Sequence, residues 1–333
     1  MRKGLFFSLG LLMLGQMSCQ NQRRAEVAQN PIPVVYSERS SIDLFGFERL
    51  HPFDIKKYDK IYNGLVRDGF LDRSMVHQAE MLGREDLLLI HTEAYLEDLG
   101  DKRLVAGYLE APILAKVPGV DIRRQVVEPF MIASGGTVKA GRLAVEHGAA
   151  INLGGGYHHA MPGHGEGFCL IADVPIAIRK LQAEGVVVRA LIVDTDIHHG
   201  NGSVVCLGDD DSCYTFSMHE RHLYPLHKPE GDRDVIVPEG VSDEAFCEVL
   251  RKELPKIFSE AKPDIVFHVA GCDALAGDPL ANGGMTAAGI AKRDAMIYAY
   301  CKQHNVPYVM TLAGGYSKGA WKAQLESIKN LMR

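Results

Sequence analysis

The sequence lacks the features of a nucleic-acid binder, a disulfide-stapled protein or a repeat protein. Acidic residues outnumber basic ones, and the formal net charge of -6 over 333 residues argues against binding nucleic acid through counterion release. The seven cysteines include no CxxC pair and no zinc-ribbon spacing. Internal repeats and low-complexity tracts are also missing. What is present is ordinary globular composition, 47% hydrophobic and 23% charged, with enough length to bury a large core.

The first thirty residues form a separate segment with an export pattern. A basic pair, Arg2 and Lys3, precedes the apolar run "GLFFSLGLLML", which gives way to small and polar residues. This order is typical of a signal peptide, and the run is too short to span a bilayer. We expect a signal peptide over 1–18, a polar tether over 19–30 and export of the mature chain. A buried N-terminal helix is the alternative, but the tether has no apolar face to bury.

Cys19 is the residue that we expect to become the first of the mature chain, after the signal peptide ends at Ser18. Ser18-Cys19 resembles the end of a bacterial lipobox, in which the cysteine is lipidated, although Gln16 stands where lipoboxes usually carry Leu. With this lipid the protein would be a membrane-anchored bacterial lipoprotein, and without it a periplasmic protein. Export would also permit a disulfide between Cys206 and Cys213, which flank an acidic turn.

From about residue 148 the chain alternates between short apolar runs and longer helical stretches. Continuous apolar strands that alternate with helices predict an α/β fold with an open, mainly parallel sheet covered by helices on both faces, three layers in all. The expected strands lie at 150–153, 186–193, 214–218, 264–270 and 307–313. The expected helices lie at 172–184, 242–261 and 287–304, the second of them starting at a capping Ser-Asp-Glu sequence.

The residues before this region are less regular. Within them we expect a strand at 33–37, a helix at 54–69, a strand or buried turn at 86–91, and a helical stretch at 124–147 interrupted by Gly135-Gly136. Since no linker separates this part from the sheet, residues 31–333 are predicted to form a single catalytic domain.

Each strand of the second half is followed by an unusual polar cluster. The sequences "GGGYHHAMPGHGEGF", "DTDIHHGNG", "HERHLYP", "GCDALAGDP" and "GGYSKG" all come directly after a predicted strand. In open α/β sheets the carboxyl ends of the strands are where ligands bind. The sequence therefore predicts a single site along this edge of the sheet.

Three residues of these clusters have the pattern of a catalytic metal site. Asp196 and His198 are two apart, so in an extended segment both side chains face the same ion, and Asp273 follows another strand. Two carboxylates and one imidazole leave a coordination position open for water, which suits catalytic Zn²⁺ and would also suit Fe²⁺. An ordinary polar strand end is the alternative, and the convergence of five clusters on one edge disfavours it.

The remaining polar residues have the chemistry of amide hydrolysis. Tandem imidazoles, His158 and His159, can share acid and base work, and Asp194 and Asn201 are candidates to fix their tautomers. The hydroxyl of Tyr316, projected by a glycine turn, can stabilise an oxyanion that develops on a polarised carbonyl. Together with a metal, this set predicts metal-assisted hydrolysis of an amide.

At this point the motifs resemble a known family. "GGGYHH…GFC", "DTDIHHGNG", "GCDALAGDP" and "GGY" are similar to the zinc-dependent histone deacetylases. "SIDLFGFERLHPFD" and "ERHLYP" look like the class IV members, and the resemblance runs from Pro31 to the C-terminus. It implies the arginase/deacetylase fold and hydrolysis of acylated lysine in peptides or proteins, with long acyl chains favoured.

The resemblance also assigns roles to individual residues. Phe168 would line the acyl-lysine tunnel, the Gly167 carbonyl would accept the substrate N–H, and Gly314 and Tyr224 would contact the substrate. The metal ligands would be Asp196, His198 and Asp273, with His158 and His159 as the catalytic pair, Asp194 and Asn201 orienting them, and Tyr316 polarising the carbonyl. A structural K⁺ would be held by Asp194, Asp196, His198, Ser217 and Met218.

Three other functions compete with this one. A deacylase of polyamines or other small acylated amines is the nearest alternative. A dimanganese ureohydrolase would need a second set of bridging carboxylates, but Gly200 stands where one of these ligands is required. A non-catalytic binding protein would have little use for a complete set of ligands, imidazoles and Tyr316. The sequence does not indicate an oligomeric state.

Overall fold

A computed structural model describes residues 32–333 of the chain. The predicted signal peptide, the tether and the proposed lipidation residue Cys19 lie outside the described residues. Among the helices within the described part, none is long and apolar enough to cross a membrane.

The described residues contain one sheet of eight parallel strands. The strands are β1 Val34–Tyr36, β2 His77–Gln78, β3 Ala149–Asn152, β4 Ala190–Asp194, β5 Cys213–Glu220, β6 Arg233–Val237, β7 Ile265–Val269 and β8 Tyr308–Thr311. Their order across the sheet is β2-β1-β3-β8-β7-β4-β5-β6. The reversals in this order leave a crevice at the carboxyl ends of the central strands, where ligands of such sheets bind.

Helices cover the sheet because its central strands are apolar on both faces. Every residue of β3, β4, β7 and β8 is buried, so each face needs a packed layer. The α-helices are α1 Lys57–Arg67, α2 Arg84–Leu87, α3 Glu93–Asp98, α4 Lys102–Tyr108, α5 Glu128–His147, α6 Asp173–Ala183, α7 Asn201–Leu207, α8 Asp243–Ala261, α9 Ala287–Gln303 and α10 Ala320–Leu331. Helix α5 packs on β1, β3 and β8, and α8 packs on β4 and β5. The predicted α/β architecture is confirmed.

Two strands escaped prediction because they lie at the edges of the sheet. Strand β2 has only two residues, and β6 alternates between partly buried and exposed positions until Val237. Edge strands lack the continuous apolar run that marked the central ones. The run at 86–91, expected to be a strand or a buried turn, begins with the last two residues of α2 and continues as a turn in which Leu88 and Leu89 are exposed.

The expected interruption of the helix at Gly135-Gly136 is wrong. Helix α5 continues through both glycines, which allow neighbouring chain segments to approach closely. A Cβ at Gly135 would lie 1.7 Å from the Glu80 carbonyl oxygen, and one at Gly136 would lie 2.6 Å from Asn152 Oδ1. These glycines are therefore packing residues and not helix breakers.

The cysteine pair considered from the sequence is not joined. Cys206 and Cys213 are free thiols in the structure, as are the other four cysteines among residues 32–333. Most of these thiols are buried, in keeping with their expected role as small core residues.

Candidate active site

The three predicted metal ligands meet at the carboxyl ends of β4 and β7. His198 Nδ1 lies 3.1 Å from Asp196 Oδ1 and 2.9 Å from Asp273 Oδ2. All three side chains are buried. Backbone amides hold the carboxylates in place, because Gly314 N–H donates to Asp196 at 2.9 Å and Ile197 N–H donates to Asp273 at 3.0 Å.

This group has the composition and the electrostatics of a cation site. The ligand atoms all lie within 4.8 Å of one another. Burial, followed by the charge of Asp196, raises the pKa of Asp273 to about 7, as expected for two buried carboxylates that lie close together. A divalent cation would relieve that repulsion, and one imidazole with two carboxylates fits Zn²⁺ or Fe²⁺.

Close packing around Asp196 explains two glycines of the motifs. A Cβ at Gly271 would lie 2.0 Å from Asp196 Oδ2, and one at Gly314 would lie 2.5 Å from the same oxygen. Neither contact is sterically allowed, so both positions require glycine for the carboxylate to occupy its place.

His158 forms a buried pair with Asp194. Its Nδ1 lies 2.7 Å from Asp194 Oδ2, and both side chains are buried. Burial opposes a charge on this ring, but the charges of Asp194 and Asp196 outweigh it and raise the pKa of His158 to about 9. A bound divalent cation would act in the opposite direction. The surroundings of His158 therefore favour the imidazolium.

His159 has a different partner from His158, and its surroundings favour the neutral ring. Its Nδ1 lies 2.6 Å from Asn201 Oδ1, and its ring centroid lies 4.0 Å from that of His158. Burial, followed by the charges of His158 and His198, lowers the pKa of His159 well below its usual value. Two titratable groups whose surroundings push their pKa values apart indicate separate acid and base roles.

A buried carboxylate that the sequence reasoning missed fixes the histidine loop. Asp173, at the start of α6, accepts hydrogen bonds from Gly156 N–H at 2.9 Å, Tyr157 N–H at 2.8 Å and the Thr137 hydroxyl at 2.6 Å. The sequence offered only a helix start at this position, and no signal that its carboxylate faces the loop before His158.

Tyr316 lies beside the metal ligands, as predicted. Its ring centroid is 6.1 Å from that of His198 and 5.8 Å from that of Phe168. Burial, followed by the charges of Asp196 and Asp273, raises the pKa of Tyr316 well above its usual value, so the hydroxyl stays protonated and can donate. Asp278, in the motif "GCDALAGDP", accepts from the Tyr316 N–H at 2.7 Å and so holds this loop.

Phe168 is displayed by a tight turn. Glu166 and Cys169 exchange backbone hydrogen bonds of 3.1 and 2.9 Å, and φ is +52° at Gly167 and +67° at Phe168. These values are those of a type I′ turn. A Cβ at Gly167 would lie 2.5 Å from the ring of His159. The turn packs so closely against this imidazole that position 167 has no room for a side chain.

A cavity of about 360 Å³ opens directly onto these groups. His158, His159, Gly167, Phe168, Gly314 and Tyr316 form its polar end. Its other walls are mostly apolar, and their apolar side chains come from the N-terminal part of the chain: Ile42, Leu44, Ile55, Leu114, Val117, Val126 and Phe130. Tyr224, which was expected to contact the substrate, is not among the residues that line this cavity; its ring centroid lies 4.9 Å from that of His159. The sequence reasoning did not identify this apolar extension.

Lys57 of α1 is a second buried group that the sequence did not reveal. Its ammonium donates to the carbonyls of Ala313 at 2.5 Å and Gly314 at 3.0 Å, and it lies 4.7 Å from the ring centroid of Phe53. Burial lowers the pKa of Lys57. This side chain fixes the backbone just before Tyr316.

The residues expected to hold K⁺ are neighbours in the sheet. Asp194 of β4 is the register partner of Ser217 of β5, and the Ser217 hydroxyl is 3.0 Å from His219 Nδ1. A further group near this edge consists of His199, His219 and Asp234, in which His199 Nε2 lies 3.1 Å from Asp234 Oδ1. A K⁺ ion stays a prediction.

Comparisons with known proteins agree with this geometry. The family model described as "Histone deacetylase domain" matches residues 51–332. Histone deacetylase 2 of Arabidopsis thaliana is 34% identical over 311 residues, which is 92% of this chain and 80% of that protein. Acetoin utilization protein AcuC of Bacillus subtilis is 27% identical over 271 residues, 74% and 67% of the two chains. The crystal structure of the HDA15 HD domain has the same fold, with a TM-score of 0.74, 23% identity and 90% coverage of both chains.

Proposed function

The chain belongs to the histone deacetylase family, and we propose that it uses zinc to remove acyl groups, long chains included, from acylated lysine side chains. Its membership makes it an amidohydrolase. The finer assignment to long acyl chains is supported by one observation, the apolar cavity that continues from the histidine pair.

The cavity is far larger than an acetyl group requires. Its volume of about 360 Å³ lies in the range of pockets that bury whole ligands. Each methylene that leaves water for such walls contributes about 0.8 kcal/mol. A long acyl chain would therefore gain binding energy along the walls formed by Ile42, Leu44, Ile55, Leu114 and their neighbours.

The site residues divide the chemistry between them. A zinc ion held by Asp196, His198 and Asp273 would supply Lewis-acid polarisation of the amide carbonyl and would lower the pKa of water. His159 is the neutral imidazole, so its Nε2 takes the proton from the attacking water and returns it to the leaving amine. His158, whose Nδ1 lies 2.7 Å from Asp194 Oδ2, is the second imidazole beside the reacting centre, and Asp194 would stabilise a proton on it. The Tyr316 hydroxyl donates to the oxyanion that develops on the substrate.

Substrate placement follows from the turn around Phe168. The Phe168 ring stands edge-on to His51, with centroids 4.6 Å apart, and its centroid is 5.8 Å from that of Tyr316, and all three rings line the cavity. The Gly167 carbonyl is the proposed acceptor for the substrate amide N–H, and Gly314 also lines the cavity.

Small acylated amines are a second candidate substrate class. The observation that favours them is Glu110, a carboxylate that lines the otherwise apolar cavity and would attract a polyamine. Glu48 also lines the cavity, but its carboxylate already accepts from the Leu44 and Gly46 amides at 3.0 Å each, which leaves one carboxylate to recognise a cation.

Export and lipidation at Cys19 stay part of the proposal, supported by the export pattern in the first thirty residues. The envelope substrates would then be lipidated proteins or acylated amines rather than histones. Mass spectrometry of the mature protein would test this: a diacylglyceryl group on Cys19 supports the proposal, and an intact first residue contradicts it.

The proposed activity is tested on the zinc-loaded protein with acetyl-lysine and myristoyl-lysine peptides, following free lysine by mass spectrometry. Hydrolysis should stop after removal of metal by a chelator and return on addition of zinc. Acetylated polyamines should be hydrolysed more slowly than the peptides. Faster turnover of the polyamines would select the second candidate, and absence of all turnover in zinc-loaded protein would contradict the proposed function.

A further inference from the structure

We propose that Glu166 is a positioning residue that fixes the direction of the Asn201 side-chain amide and thereby sets the ring tautomer of His159. The inference rests on the proposed function only because it takes His159 to be the catalytic base. The carboxylate of Glu166 hydrogen-bonds the side chain of Asn201. In this inference Glu166 therefore acts through Asn201 and not as a metal ligand.

Three side chains form a continuous chain of hydrogen bonds. Asn201 Nδ2 donates to Glu166 Oε1 at 2.5 Å, and Asn201 Oδ1 lies 2.6 Å from His159 Nδ1. The other carboxylate oxygen, Glu166 Oε2, lies 3.0 Å from His164 Nε2. The two carboxylate oxygens thus have different partners, and Oε1 is the one that faces the Asn201 amide.

The orientation of the amide follows from the chemistry of the carboxylate. An ionised carboxylate only accepts hydrogen bonds, whereas a side-chain amide donates through nitrogen and accepts through oxygen. The Asn201 NH₂ must therefore face Glu166, and its oxygen must face His159. An amide oxygen can only accept, so His159 Nδ1 must carry the ring proton.

The tautomer decides what the other nitrogen can do. With the proton on Nδ1, the Nε2 lone pair is free to take a proton from water. If Asn201 turned over, its NH₂ would face His159 Nδ1, the ring proton would move to Nε2, and the base would be blocked. Asparagine alone does not prevent this inversion, since both of its orientations make one bond to the ring.

The backbone around Glu166 ties this side chain to the acyl site. Glu166 begins the type I′ turn that displays Phe168, and Asn201 begins helix α7. Asn201 is buried, and the side chain of Glu166 is 25% exposed. The carboxylate therefore reaches inwards from the rim of the site to a group that is closed off from water.

The first test is Glu166→Gln, which keeps the size of the side chain but can both donate and accept. Either orientation of Asn201 then finds a partner. We expect kcat on an acyl-lysine peptide to fall about tenfold with KM within twofold, since a wrong tautomer of a catalytic histidine costs up to about 10⁴ in kcat. His164→Gln, which leaves the bond from Glu166 to Asn201 in place, is the matched control and should change kcat less than twofold.

The second test repeats Glu166→Gln in an Asn201→Asp background. A carboxylate at position 201 accepts from His159 without any orientation, but it faces the Glu166 carboxylate and is repelled by it. Glu166→Gln removes this repulsion and supplies a donor, so it should raise kcat in this background while it lowers kcat in the native one. A loss of equal size in both backgrounds would overturn the inference, because Glu166 would then act other than through Asn201.

The tautomer itself is measured by ¹⁵N NMR of histidine-labelled, zinc-loaded protein, with His159 assigned by comparison with His159→Gln. The wild type should show the proton on Nδ1, and Glu166→Gln should show a mixture of the two tautomers. A wild-type ring protonated on Nε2, or a spectrum unchanged by Glu166→Gln, would overturn the inference. This readout needs no turnover, so it decides the role of Glu166 even if the protein hydrolyses no acyl-lysine peptide.

Discussion

The carboxyl edge of the sheet and the apolar wall of the cavity are two regions that line the same cavity. The edge, after β3, β4, β7 and β8, carries the imidazoles, carboxylates and Tyr316. The wall comes from residues 42–130 and carries leucine, isoleucine, valine and phenylalanine. In the proposed function, the edge would determine which bond is broken, and the wall would determine how long an acyl group is accepted. A substitution at the edge should therefore leave the preference for acyl-chain length intact, and a substitution in the wall should leave the hydrolysis of acetyl-lysine intact.

The largest effect is expected at the edge, with Asp273→Asn. Loss of a carboxylate ligand removes charge that a divalent cation needs, so bound zinc should fall from one per chain towards none. Turnover of every acyl peptide should drop by roughly 10³-fold or more, because metal activation of water is lost. Metal analysis and peptide hydrolysis measure the two results.

A matched control lies at the other end of the same strand. Asp264, just before β7, accepts from the Val188 and Arg189 amides at 2.9 and 2.8 Å and is remote from the ligands. Asp264→Asn should keep its zinc and its activity. A similar loss of zinc in both variants would mean that Asp273 acts through the stability of the fold rather than as a ligand.

The next effect is expected for Tyr316→Phe, which removes one hydroxyl from the edge. The loss of an oxyanion donor costs roughly 10²–10³ in kcat. Acetyl and myristoyl substrates should lose the same factor, since the wall is unchanged, and zinc content should stay at one per chain. Steady-state kinetics on both peptides provide the measurement. A loss confined to one chain length would contradict the division of roles.

A smaller and selective effect is expected for Ala111→Phe, which fills part of the cavity. The turnover of myristoyl-lysine should fall about tenfold, because about two methylenes at about 0.8 kcal/mol each lose their apolar contacts. Turnover of acetyl-lysine should stay within twofold. The control is Ala115→Phe, four residues further along and outside the cavity lining. Equal losses on both substrates would show that the wall does not select the acyl chain.

The smallest effect concerns how the unfolding free energy depends on pH. It is expected at His91, a buried histidine that contacts the loop after His159. His91 Nδ1 lies 3.0 Å from the Met161 carbonyl oxygen, and its Nε2 accepts from the Ala172 amide at 3.0 Å. This arrangement requires the neutral ring, and burial lowers the pKa of His91 from 6.5 to about 4. Because the unfolded chain takes up the proton first, stability falls as the pH drops through 6.5, and the loss is complete below pH 4.

His91→Gln removes this titration while it keeps one donor and one acceptor. Between pH 7.5 and pH 6, the wild type should lose about 0.8 kcal/mol more unfolding free energy than the variant. Urea denaturation at the two pH values measures the difference. An identical pH dependence in both proteins would mean that His91 stays as accessible to protons in the fold as in the unfolded chain.

The same two regions differ in how far the sequence predicts them. Asp196, His198, Asp273, His158 and Tyr316 were found because hydrolysis at a metal requires those residue types, and because parallel strands bring their carboxyl ends to one edge. The structure brings all five together as expected.

The wall was not found because leucine or isoleucine at a cavity has the same sequence pattern as leucine in a core. Only tertiary packing decides whether Leu44 or Leu114 faces another side chain or an empty space. Lys57 and Asp173 were not predicted for a related reason, since only the tertiary fold brings Lys57 to the Ala313 carbonyl and Asp173 to the Gly156 amide. The edge strand β6 lacked the buried apolar run that marks central strands.

The most direct test of the account is kcat/KM of the zinc-loaded protein on one lysine peptide that carries acyl groups from acetyl to myristoyl. The account predicts that kcat/KM rises with chain length until the cavity of about 360 Å³ is filled, and that Ala111→Phe moves the maximum to shorter chains. A value that is highest for acetyl and falls with every added methylene would contradict it, because the wall would then exclude the acyl chain instead of binding it.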